Sequence, residues 1–163
     1  MQEPSIKYGI LAGVGTILYT LLFYLVDKSL IVHLGVSWSA MIIYFIAMLL
    51  AIRAQRDLDG GYISLRAAIK AAFKTFLIAN VFYHLFTYAM YNFIDPELLE
   101  LRKEVLISTY KWLYSGEQLE MILKDFTALP FQVSIGDVLF GFAKGAIGGF
   151  ILSFILAGTQ RNA

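Results

Sequence analysis

Four stretches of this chain are apolar enough to cross a lipid bilayer, and no other feature restricts the fold so strongly. Residues 8–26, 29–52 and 75–94 carry no formal charge, and residues 145–160 extend upstream to 138 if one lysine is accepted. A transmembrane helix needs about 20 predominantly apolar residues. The mean hydropathy of +0.70 agrees with this pattern. The sequence therefore predicts an all-α membrane protein with four transmembrane helices.

The length suits one domain that covers residues 1–163. We place its spans at about residues 8–26, 29–52, 70–94 and 135–157. The remaining segment, 95–132, is too charged to span and too apolar to be a plain linker. Its capping signals and helical spacing of apolar residues predict two amphipathic helices between spans three and four. They would lie on the membrane surface or cap the bundle, and a docking face for a partner protein is the alternative.

Composition excludes several classes of function. The formal net charge of +1 argues against a nucleic-acid binder, which would need a basic excess. The chain has no cysteine and two histidines, so we expect no disulfide and no metal site. No motif for a cofactor, a paired carboxylate or an activated nucleophile stands out, so we expect no cofactor. The sequence therefore favours a protein that is not an enzyme.

Basic residues predict the orientation in the membrane. The connection between spans two and three and the start of span three carry Arg53, Arg56, Arg66, Lys70 and Lys74. By the positive-inside rule this region is cytoplasmic, which puts both termini in the cytoplasm of a multi-pass protein of a bacterial inner membrane. The last three residues recur every four positions and form a basic cytoplasmic stripe. We interpret it as side chains that snorkel toward lipid headgroups, in preference to a dedicated phosphate site.

Small residues recur along two of the spans. In span four, Gly141, Gly145, Gly149 and Ser153 are spaced every four residues, and Gly9 and Gly13 repeat the pattern in span one. Such ridges let a neighbouring helix approach closely. We expect them to pack this bundle together, with homodimerisation as the second interpretation.

Polar residues inside the spans predict a polar seam along the bundle axis. Each span carries polar side chains at helical spacing, of which Asn80, His84, Asp137 and Lys144 are the candidate site. Lys144 would lie near the middle of the membrane, and Asp137, two turns away on the same face, would offset part of its cost as an ion pair. A structural role for this seam, in fixing the helix register or through snorkelling of Lys144, is the leading alternative.

Three short segments resemble a known family. They are Ile6-Lys7-Tyr8-Gly9, Gly60-Gly61-Tyr62-Ile63-Ser64 and Ile94-Asp95-Pro96-Glu97. With the four-span layout and the charged segment before span four, the chain resembles the bacterial integral membrane family named domain of unknown function 4199. The resemblance implies a four-helix membrane protein and implies no activity, ligand or site residue.

Two functions follow as hypotheses. The first is an accessory or scaffold protein in the lipid bilayer that binds a membrane protein partner, or forms a homo-oligomer, through its small-residue ridges and outer helices. The second is a small transporter or channel that uses the polar seam around His84, Asp137 and Lys144. An enzyme acting on a lipid-linked substrate ranks last, because no motif supports it.

Overall fold

The computed structural model describes residues 3–128 and 133–160, and within these ranges every regular element is helical. Seven α-helices follow one another: α1 (Pro4–Val26), α2 (Leu34–Ser39), α3 (Met41–Leu58), α4 (Leu65–Ala89), α5 (Glu97–Leu113), α6 (Glu117–Ala128) and α7 (Ile135–Gln160). A 3₁₀ turn (Lys28–Val32) joins α1 to α2, and a π turn (Met90–Ile94) continues α4. Helices α2 and α3 form one nearly continuous rod.

Local hydrogen bonds fix where the second rod begins. The carboxylate of Asp27 accepts a hydrogen bond from the backbone N–H of Ser29 at 2.8 Å and thereby caps the 3₁₀ turn. His33 then caps α2 through its Nδ1, which accepts from the N–H of Gly35 at 3.3 Å. The rod therefore starts at Leu34, five residues later than the predicted start at 29, because the side chains of Asp27 and His33 form hydrogen bonds with backbone N–H groups in this segment.

Three helices are long and apolar enough to cross a membrane among the residues described: α1, the α2–α3 rod and α7. The predicted third span falls on α4, which is long enough but less apolar. Lys74, Asn80 and His84 lie along α4 and lower its hydropathy. By length and composition, three helices are therefore candidate membrane spans, and α4 is not among them.

Helix α4 lies at the centre of the bundle, where it packs against α1, α3 and α7. Its buried side is rich in alanine, which allows the neighbouring backbones to approach closely. Helices α1, α3, α4 and α7 share one apolar cluster, the first core cluster. Its buried members are Ala12, Tyr44, Ala47, Met48, Ile52, Ile63, Ala68, Ala72, Phe76, Ala79, Leu156 and Ala157.

A second core cluster closes the opposite end of the bundle. It joins the 3₁₀ turn, the π turn and the start of α5 through Val32, Met90, Tyr91, Leu98 and Leu99. Polar contacts at the same end hold α1 to the α4–α5 connection. Lys28 forms ion pairs with Glu97 and, at 3.8 Å, with Asp95, which also accepts a hydrogen bond from Tyr24 at 3.0 Å.

Candidate functional site

The glycine ridge of α7 faces α4, and it does so residue by residue. A Cβ atom on Gly141 would lie 3.0 Å from Cε1 of His84, and a Cβ on Gly145 would lie 2.8 Å from Nδ2 of Asn80. A Cβ on Gly149 would overlap the ring of Phe76. The two helices therefore run antiparallel, with a step of four residues on α7 matched by a step of four on α4. Only glycine allows this close approach.

The shorter ridge of α1 packs on another side of α4. A Cβ on Gly9 would lie 2.7 Å from Cβ of Ile78, and a Cβ on Gly13 would lie 2.7 Å from Cβ of Phe82. Helices α1 and α4 thus run in the same direction. The next position of the α7 ridge, Ser153, is fully buried and donates a hydrogen bond to the Gly149 carbonyl at 2.6 Å. Both ridges pack within one chain.

A cavity of about 330 Å³ lies between these helices, next to the α4–α7 contact. Side chains from α1, the α2–α3 rod, α4 and α7 line it: Thr16, Ser37, Trp38, Ala40, Met41, Tyr44, Phe76, Asn80, Tyr83, His84, Gly145, Gly148 and Gly149. The walls are mainly apolar and aromatic. The first core cluster, to which the lining residues Tyr44 and Phe76 belong, extends from the cavity toward one end of the bundle, and the second core cluster lies toward the other end. The volume and the composition are typical of sites that bind small molecules.

Three of the polar side chains that line the cavity are hydrogen-bonded to backbone carbonyls. Asn80 donates from Nδ2 to the carbonyl of Phe142 at 3.3 Å, which links α4 to α7. Thr16 donates to the Ala12 carbonyl one turn earlier at 2.8 Å, and the Tyr44 hydroxyl reaches the Ala79 carbonyl at 3.4 Å. These bonds satisfy the donors where the helices pack together.

His84 differs from these residues. Its ring is partly buried and packs edge-on against Tyr83 and Phe142, with ring centroids 5.5 and 6.3 Å away. Neither of its ring nitrogens forms a hydrogen bond with any part of the chain that the structure describes. A neutral imidazole carries one donor and one acceptor. His84 therefore presents unused hydrogen-bonding capacity beside an apolar cavity.

The predicted ion pair between Asp137 and Lys144 does not form. Asp137 accepts hydrogen bonds from the backbone N–H and the hydroxyl of Ser134, at 2.8 and 2.7 Å, and caps the start of α7. Lys144 faces outward, with its ammonium group 5.0 Å from the centroid of the Phe140 ring. The helix start holds the carboxylate, and Lys144 points away from α4. Of the four candidate polar residues, the structure brings only Asn80 and His84 together.

The three residues of the basic stripe lie in different environments. Lys74 forms an ion pair with Glu3 at 2.5 Å, between α4 and the start of α1. Lys70 lies at a small polar pocket of about 280 Å³, which Glu3, Ser5 and Gln55 also line. Arg66 is exposed near the start of α4. The three residues therefore do not converge on one anion site.

The sequence interpretation missed several residues of this region. Trp38, Tyr83 and Gly148 line the cavity, but nothing in the sequence separates them from ordinary aromatic and small residues of a span. The cap of α7 did have a signal. The segment from Ser134 to Asp137 has the serine-x-x-acid form of a capping box ahead of an apolar run.

His84 is the ionisable side chain other than tyrosine among the described residues that line the cavity. Within residues 3–124 and 133–160, no group of three or more histidine, aspartate or glutamate side chains is placed to hold a metal ion. The residues that line the cavity include no carboxylate, lysine or arginine.

Comparison with known proteins identifies a family without adding an activity. The model of the family described as "Protein of unknown function (DUF4199)" matches residues 7–162. No curated protein and no solved structure matches the chain. The match covers nearly the whole chain and includes every helix that lines the cavity. The chain therefore belongs to the DUF4199 family, a family of unknown function.

Proposed function

We propose that α4 is a fourth transmembrane span, which makes this a four-span integral membrane protein. Its lower hydropathy is compatible with that role because α4 is surrounded by α1, α3 and α7. The polar residue Asn80 is buried against α7, and Lys74 pairs with Glu3 at the start of α1. A central helix can carry polar groups because protein, and not lipid, faces them.

The same proposal assigns the orientation. Arg53, Arg56, Arg66 and Lys70 lie at the end of the bundle where α3 ends and α4 begins. The positive-inside rule makes this end cytoplasmic, together with both termini. Helices α5 and α6 then lie on the opposite side of a bacterial inner membrane.

The function that the geometry supports best is that of an accessory protein that binds a small molecule or a membrane partner. A transporter or channel is the less favoured function. The observation that carries this proposal is that the cavity ends at tightly packed residues toward the cytoplasmic end. Met48, Ile52 and Ala157 are fully buried there. Lys144, on which a transport pathway would depend, faces away from the cavity. A site that is closed along the bundle axis suits a protein that holds a molecule or a membrane partner.

Native mass spectrometry of the protein in nanodiscs tests this proposal. We expect a retained small molecule or a stoichiometric second membrane protein. A flux assay in liposomes is the complementary measurement, and we expect no permeation of protons or small ions above protein-free liposomes. Flux that is lost in a His84→Leu variant, with the fold intact, would show that the protein is a transporter and overturn the accessory function.

A further inference from the structure

We propose that the cavity beside His84 binds a neutral membrane-soluble amphiphile, with an apolar body and one hydroxyl or carbonyl head, which enters sideways from the lipid between α3 and α7. This inference rests on the proposal that α4 spans the membrane, because that places the cavity at the depth of the bilayer. Each part of it follows from a different property of the cavity.

The route of entry follows from how α3 and α7 diverge. The two helices meet at one end, where Ile52 and Leu156 share the first core cluster and Arg53 bonds to Gln160 at 3.5 Å. At the level of the cavity, Trp38 is 71% exposed, and a Cβ on Gly148 would meet nothing within 4 Å. The two core clusters close the ends of the bundle. The opening is therefore lateral, toward lipid.

The chemistry of the head follows from the polar groups. No charged side chain among the described residues lines the cavity, so a phosphate, carboxylate or ammonium head would be buried there without a counter-charge. His84 offers a donor and an acceptor that no described residue uses. Tyr83 also lines the cavity, and its hydroxyl makes no hydrogen bond in the described part of the chain. A hydroxyl head could donate to the acceptor nitrogen of His84 and accept from a free donor, and a carbonyl head could accept from the N–H of His84 or the hydroxyl of Tyr83.

The chemistry of the body follows from the walls. The rings of Trp38, Tyr44, Phe76 and Tyr83 surround the space, and Tyr44 and Phe76 pack with centroids 5.3 Å apart. Such walls favour an apolar molecule whose polar group sits at one point. About 330 Å³ accommodates the head and the adjoining part of a chain or ring system, and the rest would extend through the opening into lipid.

The two tryptophans of the chain make binding measurable. Replacing Trp112 by Phe leaves Trp38, at the mouth of the cavity, as the single tryptophan. The probes are a brominated long-chain alcohol, the matching brominated alkane and a brominated phosphatidylcholine, each titrated into nanodiscs, because bromine quenches tryptophan at short range. We expect the alcohol to quench Trp38 at about fivefold lower mole fraction than the alkane, as one hydrogen bond would provide. Equal quenching by all three probes would overturn the proposal.

Two substitutions on one helix provide the matched control. Gly148→Leu places a side chain in the cavity, whereas Gly158→Leu adds the same side chain at an open position of α7 away from it. We expect Gly148→Leu to abolish the preference for the alcohol and Gly158→Leu to retain it. An unchanged preference in Gly148→Leu would contradict binding in this cavity.

A substitution of His84 tests the head. His84→Phe keeps an aromatic ring and removes both nitrogens, so we expect the alcohol to lose its advantage while quenching by the alkane stays the same. Retention of the full advantage would remove His84 from the site. This readout is independent of the flux assay, so a protein that transports ions could still show selective binding, and a protein without selective binding could still be an accessory protein.

Discussion

Gly149 of α7 lies against the ring of Phe76 on α4, so closely that no side chain larger than hydrogen fits between them. The same α7–α4 contact continues through Gly145 and Asn80 to Gly141 and His84. The packing of two helices and the wall of the cavity are thus one feature, because Phe76, Asn80 and His84 take part in both.

The first prediction concerns this contact. Gly149→Ala should destabilise the folded protein by about 1–3 kcal/mol, because the added methyl group overlaps the Phe76 ring and forces α7 away from α4. Reversible unfolding in mixed detergent micelles measures the change. Gly158→Ala, at a position with open space, is the control and should be neutral or stabilising by up to about 1 kcal/mol, since alanine favours a helix over glycine.

A double variant separates a clash from a general effect on α7. In a Phe76→Ala background the ring is absent, so Gly149→Ala should cost much less than in the wild type. Equal costs in the two backgrounds would contradict the contact between Gly149 and Phe76.

The second prediction concerns the hydrogen bond between α4 and α7. Asn80→Leu keeps a similar volume and removes the donor to the Phe142 carbonyl. We expect a loss of about 0.6–1.7 kcal/mol, the range measured for hydrogen bonds between membrane helices. Asn80→Asp tests whether the cavity tolerates a carboxyl group. It should destabilise the protein more than Asn80→Leu does, because it buries an acceptor oxygen beside the Phe142 carbonyl. A stability for Asn80→Asp equal to that of the wild type would argue that water reaches this position.

The third prediction concerns the opposite end of the bundle. The hydrogen bond with Glu97 raises the pKa of Lys28 above its ordinary value of 10.5, and the charge of Asp95 adds to this effect. Glu97→Gln should therefore lower the pKa of Lys28, which NMR of the lysine side chains follows directly. The raised pKa means that this pair stabilises the fold below about pH 10.5 and that its contribution is lost as the pH rises through the folded-state pKa. An unchanged pKa in Glu97→Gln would exclude the pair in solution.

The fourth prediction concerns acid. The pKa of Asp27 is lowered because its carboxylate accepts a hydrogen bond from the backbone N–H of Ser29 and, as a smaller cause, one from the Ser29 hydroxyl. Its contribution is present above the ordinary value of 3.8 and is lost as the pH falls through the lower folded-state pKa. Asp27→Asn can keep the cap without titrating, so the variant should lose less stability than the wild type between pH 5 and pH 2. Identical acid sensitivity of the two proteins would show that this cap does not titrate.

Much of the fold could be predicted because its signals are local. Apolar runs indicated α1, the α2–α3 rod and α7, and Ser64 caps α4 by accepting the N–H of Ala67 at 3.2 Å, as its position indicated. The every-fourth-residue glycines indicated a close helix contact, although the sequence could not say whether that contact lies within one chain.

The site was harder to predict because it depends on which way each helix face turns. Asn80 and Lys144 are both polar residues inside predicted spans, and their spacing alone does not tell which of them faces the interior of the bundle. The rotation of α7 that aims Gly145 at Asn80 turns Lys144 to the outer face. The proximity of Lys28 to Glu97 joins residues far apart in the chain, for which no local pattern exists.

Asn80 and His84 lie inside the bilayer only if α4 spans the membrane, so the topology of α4 is the property to measure first. The chain contains no cysteine, so single cysteines at Tyr62, before α4, and at Ser115, between α5 and α6, can be labelled separately in intact cells. The account predicts that a membrane-impermeant maleimide labels Tyr62→Cys only after the cells are opened and labels Ser115→Cys in intact cells. Labelling of both positions from the same side would contradict it.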